Sequence, residues 1–149
     1  MNSVNIKTKV CIIGAGPAGT STSIFLSRMG IEHVMVDAAV FPRDKICGDG
    51  LDIKTVRMLN HIDSDIIPNE ILKNPEFTPS WGFRLLLDNK KMMDFGRYPS
   101  TKEQQQEPPL FIAKRMMFDQ FLQGKLNKNF VQFLQGTKVT ELILSLIHI

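Results

Sequence analysis

The apolar positions change period along the chain, and each change marks an element. Residues 10–13 (VCII) are a continuous apolar run, the pattern of a parallel strand buried on both faces, with Cys11 expected in the core. A glycine-rich turn follows at residues 14–19 (GAGPAG). Beyond it Ile24, Phe25, Leu26 and Met29 recur at helical spacing up to a stop at Gly30. Residues 33–37 (HVMVD) read as a second strand ending on an acid. Strand, glycine turn, helix and strand within about 30 residues make a βαβ unit.

Residues 41–51 (FPRDKICGDGL) read as loop. Ile53, Val56, Leu59 and Ile62 then share one helix face. Pro68, Pro75 and Pro79 break up the next stretch, and residues 81–95 predict a hairpin turning at Asp88-Asn89. Residues 97–109 are polar and proline-bearing, hence expected to be exposed, with a glutamine patch at 104–106. A helix is predicted over 115–128, with Met117, Phe118, Phe121 and Leu122 apolar. Its second half is weakened by Gly124, which costs about 1 kcal/mol against alanine. Residues 130–134 and 138–144 are strand-like.

Composition narrows the class without naming a function. With 43% hydrophobic and 22% charged residues in 149, disorder and collagen are excluded. The formal charge of +3 comes from scattered basic residues, so no nucleic-acid partner is expected. No apolar stretch approaches the ~20 residues of a membrane-spanning helix, and the N-terminus lacks the order of a secretory signal. Cys11 and Cys47 are too few for a disulfide scaffold, which favours a cytoplasmic setting. His33, His61 and His148 show no ligand spacing, so no metal site is expected.

The glycine motif gains weight from its surroundings. It follows a strand and opens a helix, where backbone N–H groups and the positive helix end face an anion. Asp37 lies 18 residues after Gly19, where a carboxylate can accept hydrogen bonds from a ribose diol. Gly14 permits the tight turn, Gly16 lets a pyrophosphate approach the backbone, and Gly19 lets helix and strand pack closely. Pro17 suits the first helical position, followed by Ala18. A carboxylate at Asp37 repels a 2′-phosphate, so FAD or NAD is favoured over NADP.

The string at 41–51, taken with GAGPAG and Asp37, closely resembles the geranylgeranyl reductase family of FAD-dependent flavoproteins, which belongs with the aromatic hydroxylases and halogenases. The resemblance continues at residues 115–122 (RMMFDQFL) and 136–140 (GTKVT). It implies an α/β fold: a Rossmann-like FAD-binding βαβ unit with a parallel sheet and an inserted β-hairpin. It implies that FAD is held by Gly14, Gly16, Pro17, Ala18, Gly19 and Asp37. Arg43 and Arg115 are implied near the phosphates and ribose, and Val139 on a strand at the adenine end. The loop of Cys47 and Gly48 is implied near the flavin ring and substrate, with Cys47 the candidate catalytic residue. Arg115 and Asp119 also stand four residues apart, so they can pair on a solvated helix face.

The implied activity is reduction of an isoprenoid carbon–carbon double bond, with NAD(P)H or another external electron donor. Its substrate is a small molecule of lipidic character, and peripheral membrane contact is compatible with it. The alternatives are an FAD-dependent monooxygenase or halogenase, and a nucleotide-binding fragment with no activity of its own. Residues 1–75 and 110–144 are expected to form a truncated FAD-binding domain, and 76–109 the start of a substrate-domain sheet. A complete relative needs a second Gly-Asp motif downstream, so the chain reads as an N-terminal fragment, with 145–149 a non-native tail.

Overall fold

The computed structural model describes residues 5–47, 49–88, 91–96, 99–102 and 108–143. Gly48, Asn89, the glutamine patch at 104–106 and the tail at 145–149 lie outside them. The chain divides into two compact units, one of residues up to Asp44 together with those from Phe118 on, the other Lys45–Met117.

The first unit is the predicted βαβ core. Strand β1 (Cys11–Ile13), helix α1 (Pro17–Arg28) and strand β2 (His33–Val36) follow in order, and β1 pairs with β2 in parallel. The last strand, β8 (Val131–Leu134), pairs in parallel with the other edge of β2, so the order is β1-β2-β8. All four residues of β2 are buried, as its central place requires. Ala15, Met35 and Val131 form a small core, packed by Ile12, Phe41, Leu126 and Phe133.

Two expectations for this unit are corrected. Cys11 is exposed rather than core, because β1 is an edge strand whose residues are only partly covered. The inner face of α1 is also not the apolar set. Thr20, Ser21, Ser23, Ile24 and Ser27 are buried, while Met29 is 64% exposed. Small hydroxyl residues let the helix lie close to the sheet, and several find partners there. Thr20 Oγ1 donates to the Ala15 carbonyl at 3.0 Å and Ser21 Oγ to that of Pro17 at 2.6 Å. Ser23 Oγ lies 2.6 Å from His33 Nε2, and Nδ1 lies 2.9 Å from the Ile31 carbonyl. A carbonyl can only accept, so Nδ1 is the donor to Ile31.

The unit Lys45–Met117 holds two small antiparallel sheets. Strand β7 (Leu110–Ile112) lies between β3 (Gly50–Leu51) and β4 (Thr78–Ser80), and β5 (Gly82–Leu87) forms a hairpin with β6 (Lys91–Gly96). The hairpin is as predicted, with Asp88 at φ 50° opening its turn. Across it Arg84 grips Asp94 in a two-pronged ion pair, at 2.6 and 3.0 Å, and Phe83 stacks on Phe95 at 4.9 Å. Helix α2 (Ile53–Ile62) buries Val56, Leu59 and Ile62.

Pro68 does not break the chain but sits in a π-helical stretch, Ile66–Ile71, near whose start its missing N–H is of little account. Pro79 is accommodated because β4 is an edge strand. Residues 97–109 are not uniformly exposed, since Pro108 is fully buried, and β7 had no signal of its own in the sequence. Helix α3 (Arg115–Gln123) stops before Gly124, short of the predicted 128. No strand forms at Val139, which is 39% exposed; the segment there lacks a pairing neighbour among the described residues.

Two outcomes follow from this packing. A Cβ at Gly19 would overlap the Gly14 carbonyl and crowd Ile12 Cγ2 at 3.1 Å, so Gly19→Ala should destabilise by about 2 kcal/mol or more in denaturant titration. The Asp52 carboxylate caps α2 by accepting from Thr55 N–H at 2.9 Å, and its backbone and side-chain hydrogen bonds hold the pKa below the ordinary 3.8. That stabilisation is present above the ordinary value and is lost as pH falls through the lowered one. Asp52→Ala should therefore lower the thermal midpoint at pH 7, with the deficit shrinking as acid protonates the wild-type cap.

Candidate functional site

The carboxyl ends of three parallel strands bring the turn and its acid together. Gly14 follows β1 with φ +100°, a conformation that glycine adopts without strain. Its N–H donates to the Val36 carbonyl at 2.8 Å, which ties the turn to the end of β2. Gly16 is the N-cap residue of α1 and Pro17 opens the helix. Gly16 has no side chain to cap with, and no acid stands in the first turn. The first turn of α1 thus carries neither a side-chain cap nor an acid of its own, beside an exposed Ala18.

Asp37 does more than spacing suggested. Its Oδ2 accepts from Ala15 N–H at 2.7 Å, inside the glycine turn, and its Oδ1 accepts from Ala39 N–H at 2.8 Å. The carboxylate therefore clamps the turn to the loop after β2. Each oxygen retains acceptor capacity for a second donor, such as a ribose hydroxyl. Backbone bonds from Asp37 N–H to Leu134 and from Thr137 N–H to Asp37 bind the same point to β8, at 3.0 and 2.8 Å. Val139 lies just beyond this knot, in irregular chain.

Arg43 stands in the same unit. Its guanidinium lies over the Phe41 ring, 4.9 Å from the centroid, and Nη2 is 3.6 Å from Asp119 Oδ2. Asp119 is 2% exposed, so it is not part of a solvated helix face. Phe41 N–H donates to Gln135 Oε1 at 2.7 Å. From sequence, Asp119 has a place in the RMMFDQFL string and a spacing that lets it pair with Arg115 but no cofactor role, and Gln135 has none.

Within the unit Lys45–Met117, Cys47 is exposed and Arg115 Nη1 lies 3.9 Å from its sulfur. Asp49, at φ 53°, accepts from Arg115 N–H at 3.0 Å through its side chain and from Ala113 N–H at 2.9 Å through its carbonyl. The acid of the CGDG string thus braces the loop against the start of α3.

A dinucleotide fits what is present in the first unit. The turn is closed so tightly that a Cβ at Gly19 would overlap backbone, the helix end beyond it is uncapped by any side chain, and a carboxylate stands at the adjoining strand end. Relatives agree. The FAD binding domain family matches residues 7–140. The chain is 46% identical over 59 residues to the menaquinone reductase of Mycolicibacterium smegmatis, covering 40% of the chain and 14% of that protein. It is 30% identical over 138 residues to the tryptophan 2-halogenase of Chondromyces crocatus, covering 91% and 24%.

Two solved structures share the fold. A flavoprotein/dehydrogenase from Cytophaga hutchinsonii aligns at a TM-score of 0.73 and 22% identity, over 94% of this chain and 33% of its own. A geranylgeranyl bacteriochlorophyll reductase-like protein from Thermoplasma acidophilum aligns at 0.63 and 19%, over 87% and 30%. The chain thus spans only 14% and 24% of the lengths of the two curated relatives. With one family match running from residue 7 to residue 140 and a parallel βαβ core built as a dinucleotide turn requires, the chain belongs to the FAD binding domain family.

Proposed function

We propose that this chain is the N-terminal FAD-binding part of a flavin-dependent oxidoreductase that reduces carbon–carbon double bonds of an isoprenoid substrate. The observation that carries the cofactor is the clamp of Asp37 on the glycine turn, which prepares a ribose acceptor and a phosphate cradle in one piece. Gly14, Gly16, Pro17, Ala18 and Gly19 present backbone to the pyrophosphate, and Arg43 supplies positive charge beside them. Cys47, Gly48 and Arg115 are assigned to the same cofactor on the strength of the family resemblance, as is Val139.

Hydride donation is the chemistry that bound FAD supplies, with NAD(P)H or another external reductant as electron source. The chain's own residues bind and orient. The 46% identity to a menaquinone reductase supports a reductase with a prenylated, lipidic substrate over other flavin chemistries. Such a substrate would bring the enzyme into peripheral contact with a membrane surface; among the described residues no helix is long and apolar enough to cross one.

The second reading keeps FAD and changes the reaction to halogenation or monooxygenation. It is favoured by the 30% identity to a tryptophan halogenase across 91% of the chain. Purified full-length protein separates the two. A reductase, chemically reduced without oxygen, should be reoxidised by a polyprenyl substrate with saturation of one double bond, followed by mass spectrometry. Oxygen consumption on substrate addition, with no such saturation, would favour the second. A colourless protein that takes up no FAD would sink both.

Asp37→Ala removes the ribose acceptor and the clamp together, so FAD affinity should fall by tenfold or more, roughly the worth of one charge-assisted hydrogen bond. Flavin fluorescence titration measures it, and an unchanged Kd would refute the role given to Asp37.

A further inference from the structure

In the unit formed by residues up to Asp44 and from Phe118 on, two ionisable side chains meet on segments whose neighbouring residues touch Ala15 of the glycine turn. Asp119 is 2% exposed, a burial that aspartate almost never reaches without a counter-charge. Arg43 Nη2 lies 3.6 Å from its Oδ2, and the arginine side chain keeps 19% exposure. Both partners are anchored to Ala15 by separate routes. Gln123, one helical turn after Asp119, places its amide 3.5 Å from the Ala15 carbonyl. Phe41, beneath the guanidinium, packs on the cluster of Ala15, Met35 and Val131.

As a source of stability this pair is poorly built. Burying a charge pair can cost more than its attraction returns unless the geometry is excellent. Here the contact is 3.6 Å, beyond the 2.7–2.9 Å of a charge-assisted hydrogen bond. It engages little of a fork with five N–H donors. The same arrangement serves well to hold a cation at a fixed place beside an anion cradle. The phenyl ring and the buried carboxylate both contact the guanidinium and restrict where it sits.

We propose that Asp119 is a positioning residue for Arg43. Its buried charge holds the guanidinium beside the glycine turn, leaving part of the fork for a phosphate oxygen of the dinucleotide. The assignment rests on the FAD reading above. It gives the acid of the RMMFD string a task that spacing along α3 does not reveal, because its partner lies 76 residues earlier in the chain.

The test is a double-mutant cycle in the full-length protein carrying this chain, read as FAD affinity by flavin fluorescence. Asp119→Asn, which keeps the shape and removes the charge, should raise the Kd about tenfold, as for one lost charge-assisted contact. Arg43→Gln should raise it at least as much. Adding Asp119→Asn to Arg43→Gln should change it by less than about twofold, because the aspartate acts through the arginine. A merely structural role would shift the thermal midpoint and leave the cycle additive. An additive cycle, or an unchanged Kd in either single variant, overturns the assignment while leaving the FAD reading standing. Wild-type protein that binds no FAD overturns both. If Asp119→Asn does not fold, Asp119→Glu, which moves the charge by one methylene, replaces it in the cycle with the same expected and overturning results.

Discussion

The close passage of helix α1 over the turn that precedes it constrains everything at the carboxyl end of the parallel sheet. Gly19 packs so tightly on the Gly14 carbonyl that no side chain fits between them, and Gly14 itself stands at φ +100°. That contact places the start of α1 directly after β1. Small hydroxyl residues along Thr20, Ser23 and Ser27 keep the helix close to the sheet for two more turns. The buried Ser23–His33 bond then ties its middle to β2.

Asp37 ties this packing to the end of β2. A carboxylate at the end of β2 would sit near the turn in any βαβ unit of this length. Here it also organises the turn, by accepting from Ala15 and Ala39 at once. In the proposed function, ribose recognition and turn geometry rest on the same side chain. Backbone bonds to residues 134 and 137 draw β8 into the same arrangement, although nearly a hundred residues separate the two strands.

The Lys45–Met117 unit carries its own internal logic. Asp49 accepts from the backbone of Arg115, and the unit also holds two small antiparallel sheets and α2. Its hairpin leaves Phe83, Leu85, Met93 and Phe95 on one exposed face.

Period and spacing along the chain sufficed for the βαβ unit, the glycine turn with its acid, helix α2 and the hairpin. Each depends on neighbours within about 30 residues, where local pattern and geometry coincide. The same local evidence misjudged the burial of Cys11, the strand at Val139 and the inner face of α1. Strand edges and burial are settled by which strands pair and how near a helix lies, and those are long-range facts. The pairing of β8 with β2, the burial of Asp119 and its meeting with Arg43 belong to the same class. Residues 76 or more apart in sequence come together only when the parallel sheet closes, and no periodicity along the chain encodes that encounter.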